Sequence, residues 1–455
     1  MKSFNPFTGK VIGEIPETTP QDLERIVNAG REAYIEWSNL PIEQRTTFLQ
    51  VLPELTIHSI NSISDTLVAE TGMPITEAEG STRKLTQRME FLIKNSPAYL
   101  QEEKTILSDD KINIVSYEPI GLIGCIMPWN HPFTIPFWSI IPALIAGNVV
   151  LYKPSELTPL VGRQIDDLMS KLQLPNGVFS TVYGDGQLGR LISAHPNVRM
   201  ISYAGSIRIA RKVYSEASEN IKKLVLENGG KDALIVGDYK DKEYLAEQIL
   251  VGSLRHAGQL CSSVRRVYIP EKDYEEIANM IISKVPSYNV GDPSDADTVV
   301  GPLKMKKQLD NLNALVAEAL KKGARIAYGS ADQPSQLYIP TVLIDVPPDC
   351  LVLQEEHFGP LIPLVKTRNF NHAIELANQS EYGLNASIWH DDIYEAEAMA
   401  KKVKTGTVTI NMLPSTHNYC SWHGVKLSGL GCVLSPDGIR QFTDRKNVRF
   451  GYKHG

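Results

Sequence analysis

The sequence of 455 residues is short of the features that place a chain by composition alone. It has only five cysteines, Cys125, Cys261, Cys350, Cys420 and Cys432. They are odd in number, far apart and without a CxxC pair, so neither a zinc site nor a thioredoxin-like motif is indicated, no metal is expected, and a reducing cytoplasm is the simpler setting. Neither sign of charge is in excess: 46 Lys and Arg stand against 52 Asp and Glu, a formal net charge of -6. That dispersed balance offers no basic footprint for nucleic acid and no polybasic anchor for a membrane. The opening MKSFNPFTGKVIGEIP lacks an apolar core, so a signal peptide is not expected. Residues 119–152 contain no Asp, Glu, Lys or Arg and are long enough to span a bilayer. Pro128, Pro132, Pro136 and Pro142 interrupt them, with Asn130 and His131 in mid-run, which suits buried strand, loop and helix instead. Short-period repeats, low-complexity tracts and Gly/Ser linkers are all missing, so closely packed domains are expected.

What is present is ordinary globular material, 42% apolar and 22% charged, in a chain too long for one core. Thr19 as N-cap, Pro20 at N1 and Asp22 in the first turn open a helix with Leu23, Ile26, Val27, Tyr34 and Trp37 at helical spacing. From residue 111 strand-like runs alternate with helical ones: INIVSY, GLIGCIM, NVVLYK, GVFSTVY, RMISYA, KLVLE and ALIV, separated by segments such as PLVGRQIDDLMSKL and GQLGRLISA. Such alternation predicts a parallel sheet with helices on both faces. A second series begins near 245, with LAEQILVGSLRHA and MKKQLDNLNALVAEALKK alternating with RRVYIP, TVLIDV, LIPLVK and ASIWHD. It predicts a second α/β domain.

Five places in this pattern carry residues able to do chemistry. Cys261, in HAGQLCSSVRRVYI, sits between a helix and a strand beside Gly258, Ser262 and Ser263, whose small size leaves room for a substrate. It is either a nucleophile or an inert, half-buried thiol. Asn130, held in a loop between Pro128 and Pro132, is either an oxyanion donor or a turn former. Glu227 closes KKLVLE at the carboxyl end of a parallel strand, where it is either a water-activating base or a solvated strand end. Lys153 and Glu156 in YKPSE suit ribose hydroxyls, and Gly205 and Ser206 in SYAGS suit a pyrophosphate at a helix N-terminus. There is no GxGxxG fingerprint, and YGDG at 183–186 is too short to count, so a flavodoxin-like fold with another ligand stays open on spacing alone.

In order along the chain, PWNHPF, YKPSE, SYAGS, LENGGK, GQLC, EEHFGP, YGLNASIW, GTVTIN and GVKLSGLG resemble the NAD(P)-dependent aldehyde dehydrogenase superfamily. The resemblance runs from NPFTGKVIGEIP almost to the C-terminus. It implies an α/β fold: a Rossmann-like NAD(P)-binding domain over 1–104 and 120–230, a catalytic domain over 231–430, and a small β-strand oligomerisation element over 105–119 and 436–455. It further implies oxidation of an aldehyde to a carboxylic acid through a thiohemiacetal and a thioester on Cys261, with Glu227 as general base and Asn130 with the Cys261 backbone N–H as oxyanion donors. Lys153 and Glu156 would hold the adenosine ribose, Gly205 and Ser206 the pyrophosphate. Trp129 would line the cofactor side, and Glu356 with Phe358 would position the nicotinamide ribose and ring. Glu156 points to NAD over NADP, since a carboxylate near the ribose 2′ position repels a phosphate. A homodimer or homotetramer is implied, with strand addition at an exposed edge.

The sequence departs from the family pattern near the site. His256 stands where Asn is usual, Asn228 replaces the Leu after the catalytic Glu, and Val433 occupies a position that often carries a second carboxylate. Asn228 would either hold Glu227 ionised by a hydrogen bond or hold it away from the thioester, and the change at Val433 would slow proton removal or route it through water. The resemblance places His131, Trp138 and Trp422 along the aldehyde tunnel, with His417, Asn418 and Tyr419 on the loop before it. No Arg or Lys stands among those positions to bind a second carboxylate, which lowers the expectation of succinic semialdehyde. The alternatives are a coenzyme A-acylating enzyme, against which Glu227 speaks, and a non-catalytic NAD-binding protein of the same fold.

Overall fold

The computed structural model describes residues 1–108 and 111–451. The first helix, Pro20–Asn39, is capped as its sequence predicts: the Asp22 N–H donates to Thr19 Oγ1 at 3.1 Å and the Thr19 N–H donates back to the Asp22 carboxylate at 3.2 Å. Leu23, Val27 and Trp37 on its inner face are buried, with Ile26 and Tyr34 at the margin of the same core.

That helix packs on a six-stranded sheet. Phe179–Thr181, Val149–Lys153, Leu122–Ile126, Val198–Gly205 and Lys223–Asn228 lie side by side in that order and are all parallel. Every residue of Leu122–Ile126 and Val149–Lys153 is buried, as continuous apolar strands covered on both faces require. The chain begins in the middle, steps twice to one side, then returns to build outward on the other. The turning point lies between Leu122–Ile126 and Val198–Gly205, and in such sheets the ligand crevice opens there, beyond the carboxyl ends of the strands. The uncharged run at 119–152 becomes strand, helix Thr134–Ile145 and strand. Among the described residues no helix is long and apolar enough to cross a membrane.

A seven-stranded sheet forms the second layer: Arg325–Tyr328, Thr341–Ile344, Leu361–Thr367, Val264–Pro270, Asp232–Val236, Asn385–Trp389 and Thr407–Ile410. ALIV, read from the sequence as the last strand of the first series, belongs here. Asp232–Val236 pairs in parallel with Val264–Pro270 and Asn385–Trp389. Both sheets contain fully buried central strands, so hydrophobic pattern alone does not say which sheet such a strand joins.

A three-stranded sheet of Thr443–Gly451, Lys111–Pro119 and Glu103–Ser108 projects from the first unit. Asp109, Asp110 and residues 452–455, counted in the oligomerisation element, lie outside the described residues. The division at 430 differs from the packing. Gly429–Leu430 pairs antiparallel with the Glu227 strand, and Trp422, Val433, Leu434, Ile439 and Phe442 join the first core. After its last central strand the chain returns to the first unit and closes the crevice from the far side.

Candidate active site

The strand ends of the first sheet open on a cavity of about 1210 Å³. Trp129 and Asn130 reach it from the end of Leu122–Ile126, Lys153 and Glu156 from Val149–Lys153, Gly205 and Ser206 from Val198–Gly205 and Glu227 from Lys223–Asn228. Cys261, Glu356 and Phe358 reach it from the second unit, and Trp138 and Trp422 close one end. His131 is not part of the lining. Its ring turns toward His256, 5.9 Å away between centroids, and burial lowers His131 to about 4 and His256 to about 3, so both are neutral.

The Cys261 loop is held in a conformation it would not adopt alone. Helix Lys242–Leu254 runs into a turn in which His256, Ala257 and Gly258 take φ of 47°, 54° and 71°. Two consecutive non-glycine residues in that region are strained, and such strain persists only where the surroundings over-determine it. Glu77 supplies part of that constraint, accepting from the His256 N–H at 2.9 Å and from Arg255 at 3.0 Å. Gln259, fully buried, donates to the His256 carbonyl at 3.1 Å and accepts from the Lys304 N–H at 2.9 Å. From below, Arg265 gathers the loop: its guanidinium donates to the carbonyls of Cys261 and Gly230 at 3.0 Å each, to His357 at 3.2 Å, and to Leu260 and Gly258. It also lies 3.8 Å from the Glu356 carboxylate and 5.1 Å beneath the Phe358 ring. One buried cation therefore fixes the thiol loop, the turn after Glu227 and the EEHFGP segment together. The sequence reading passed over Arg265, because its partners are backbone carbonyls that no motif displays.

Asn130 donates one amide hydrogen to the Gln259 carbonyl at 3.0 Å. The other hydrogen and the Cys261 backbone N–H have no protein partner among the described residues. Two free donors thus border the thiol. The surface that Cys261 exposes faces the cavity, and burial pushes its thiol up to about 12, with Asp232 adding to the rise.

Glu227 is more isolated. Both carboxyl oxygens are buried without a hydrogen-bond partner, and burial raises its pKa well above the ordinary carboxylate value. Desolvation therefore favours the protonated carboxyl over the anion. Neither reading of Asn228 applies, since its amide donates to the Leu427 carbonyl at 3.0 Å and not to Glu227. Val433 is buried in the core, bridged through its backbone to Trp422, and offers Glu227 no proton path.

The opposite end of the cavity fits a dinucleotide. Gly205, at φ 155°, ends its strand against Tyr203, whose hydroxyl would lie 2.3 Å from any added Cβ. Ser206 caps helix Ile207–Ser218 without spending its side chain, leaving the hydroxyl and the N-terminal N–H groups for an anion. Lys153 Nζ is buried 3.6 Å from the half-exposed Glu156 carboxylate. Gly229 is required by the same geometry, because a Cβ there would sit 2.1 Å from Glu356 Oε2. The discounted YGDG also contributes: Asp185 caps helix Gly186–Ala194, and Gly186, Gln187 and Arg190 line the cavity.

The sequence model of the aldehyde dehydrogenase family matches residues 1–448. The chain belongs to that family. This dehydrogenase oxidises an aldehyde to a carboxylic acid with reduction of NAD(P). It is 31% identical over 449 residues to a succinate-semialdehyde dehydrogenase [NADP(+)] of Deinococcus radiodurans, covering 98% of this chain and 94% of the relative. It is 30% identical to a glutarate-semialdehyde dehydrogenase of Pseudomonas aeruginosa, with 99% and 94% covered. The crystal structure of a betaine aldehyde dehydrogenase from Staphylococcus aureus in complex with NAD+ superposes with a TM-score of 0.95 at 28% identity, covering 100% of this chain and 92% of the other. The dehydrogenase therefore has the α/β aldehyde dehydrogenase fold that its motifs imply.

Proposed function

We propose that Cys261 is the nucleophile of this dehydrogenase, with Asn130 and the Cys261 N–H as oxyanion donors and Glu227 as the base that activates water. The observation that carries this reading is their convergence on one cavity, where two donors and one carboxyl group stand without protein partners. The Cys261 thiolate adds to the aldehyde carbon, and the oxygen that becomes negative is met by the two free donors. The nicotinamide cofactor, when bound, supplies the two-electron acceptor for the hydrogen that leaves this carbon. Cys261 is left as a thioester. Glu227, once ionised, takes a proton from water as the hydroxide adds. The C–S bond then breaks, and the acid departs from the restored thiolate.

The cofactor residues follow the same reading. Lys153 and Glu156 bind the adenosine ribose, Gly205 and Ser206 the pyrophosphate, and Trp129, Glu356 and Phe358 the nicotinamide end. NAD is the preferred cofactor, supported by the Glu156 carboxylate beside the ribose site; the relatives include both NADP-dependent enzymes and NAD+ complexes. The chain works as a dimer or tetramer built on the three-stranded sheet, supported by exposed Ile106, Leu107, Val448 and Phe450 on its outer strands. It resides in the cytoplasm, a reading supported by five free cysteines.

The test is the rate of NAD and NADP reduction with a panel of aldehydes, together with the acid formed. Acid stoichiometric with reduced cofactor, abolished by Cys261→Ala, is the expected result. Turnover that survives Cys261→Ala, or that demands coenzyme A, would overturn the assignment.

A further inference from the structure

Behind Trp138, which closes the tunnel end of the cavity, lies a cation that the sequence reading did not find. Arg88 comes from helix Ile75–Tyr99, hundreds of residues away from the loop it meets. Its Nε donates to Asn418 Oδ1 at 2.9 Å, and its Nη2 donates to Thr416 Oγ1 at 2.8 Å and to the Thr416 carbonyl at 3.3 Å. The guanidinium carbon sits 5.3 Å from the centroid of Trp138, which lies edge to face with Trp422 at 6.4 Å. Both tryptophans line the same cavity as Cys261.

Two features distinguish this arrangement from an arginine that only braces a loop. No carboxylate lies within ion-pair distance of Arg88 among the described residues, and both hydrogens on Nη1 are without a protein partner. Beside it, the Trp138 indole N–H is buried with no acceptor at all. A half-buried cation with no counter-charge and a buried donor with no acceptor, packed against each other, are costly unless something supplies the acceptors. Burial without a counter-charge also draws Arg88 down to about 10.

We propose that Arg88, with the Trp138 indole N–H, binds a carboxylate at the far end of the aldehyde, so that the substrate is a short-chain semialdehyde acid. This rests on the reading of Cys261 as the nucleophile of the same cavity. Thr416 and Asn418 hold the guanidinium by Nε and Nη2, which leaves the Nη1 hydrogens as the donors proposed for the ligand. A guanidinium and an adjacent N–H are donors that a carboxylate satisfies and an alkyl end does not.

The test compares kcat/KM for glutarate semialdehyde and succinate semialdehyde with that for pentanal and butanal. The acids are expected to be preferred by on the order of 100-fold, and Arg88→Met to lower that ratio by a similar factor, with KM carrying most of the change. Arg88→Lys should recover part of it. A second readout needs no turnover: glutarate should slow alkylation of Cys261 by iodoacetamide in the unaltered enzyme and not in Arg88→Met. Where Arg88→Met does not fold, Trp138→Phe removes one donor, keeps the ring, and should shift the ratio in the same direction by roughly 5-fold. Equal use of pentanal and glutarate semialdehyde, or a ratio that neither variant changes, would overturn the proposal. Glutarate protection that depends on Arg88, with no aldehyde oxidised, would instead overturn the catalytic reading and leave this one standing.

Discussion

Glu227→Gln separates the two things this carboxyl group does. In folding it is a burden: both oxygens are buried and unpartnered, and its folded pKa is raised well above the unfolded value. Between those two values the folded chain holds a proton that the unfolded chain has released. Stability therefore falls as pH rises, by about 1.4 kcal/mol per pH unit, until the folded pKa is passed. Glutamine is nearly isosteric, has no proton to lose and escapes this term. With unfolding entropy of about 2.1 cal/mol/K per residue, 455 residues melting together give about 1 kcal/mol/K, so the variant should gain about 1.4 °C over the unaltered enzyme for each pH unit. Differential scanning fluorimetry from about pH 5.5 upward should show a gap that widens at that rate until the folded pKa is passed. Other buried acids, such as Asp232 and Glu356, act equally in both proteins and cancel. On the proposed mechanism the same change removes the base, so thioester hydrolysis should slow by about a hundredfold to ten-thousandfold while the reduction step survives. Stopped-flow absorbance should then show one burst of reduced cofactor per site. A melting gap that stays flat with pH would mean that burial does not raise the Glu227 pKa, and the account of its burial would be wrong.

Asn130→Ala should lower kcat by roughly a hundredfold to a thousandfold, the usual cost of one oxyanion donor, in steady-state turnover of any accepted aldehyde; a change below about tenfold would leave the Cys261 N–H as the sole donor. With the thiol of the ligand-free enzyme pushed up to about 12, alkylation by iodoacetamide should climb about tenfold per pH unit through pH 9 with no plateau. A plateau near neutral pH, read by mass spectrometry of the Cys261 peptide, would show a thiolate that the free site already stabilises.

Most of the fold and much of the site were legible along the chain. Local rules suffice for the Thr19 cap, for the unbroken apolar strands, and for motifs such as GQLC and LENGGK, because each depends on neighbours a few residues away. The crevice follows once the strands are taken as parallel, since their carboxyl ends must open on one side. Other features were decided by contacts between distant segments. ALIV could join either sheet, and only pairing with Val264–Pro270 and Asn385–Trp389 settles which. His131 and Trp138 stand on neighbouring turns, yet one faces His256 and the other the cavity. Arg265 and Arg88 look like surface charge in the sequence. Arg265 becomes a buried cation and Arg88 a half-buried one because backbone carbonyls and side chains from remote segments converge on each. Glu227 carries the same lesson: its identity and strand-end position are written in KKLVLE, but whether it is a solvated anion or a neutral acid depends on the water that packing removes. Residue order fixes which groups the chain owns, whereas desolvation and charge pairing arise only when the chain closes on itself, and these set the protonation and the chemistry.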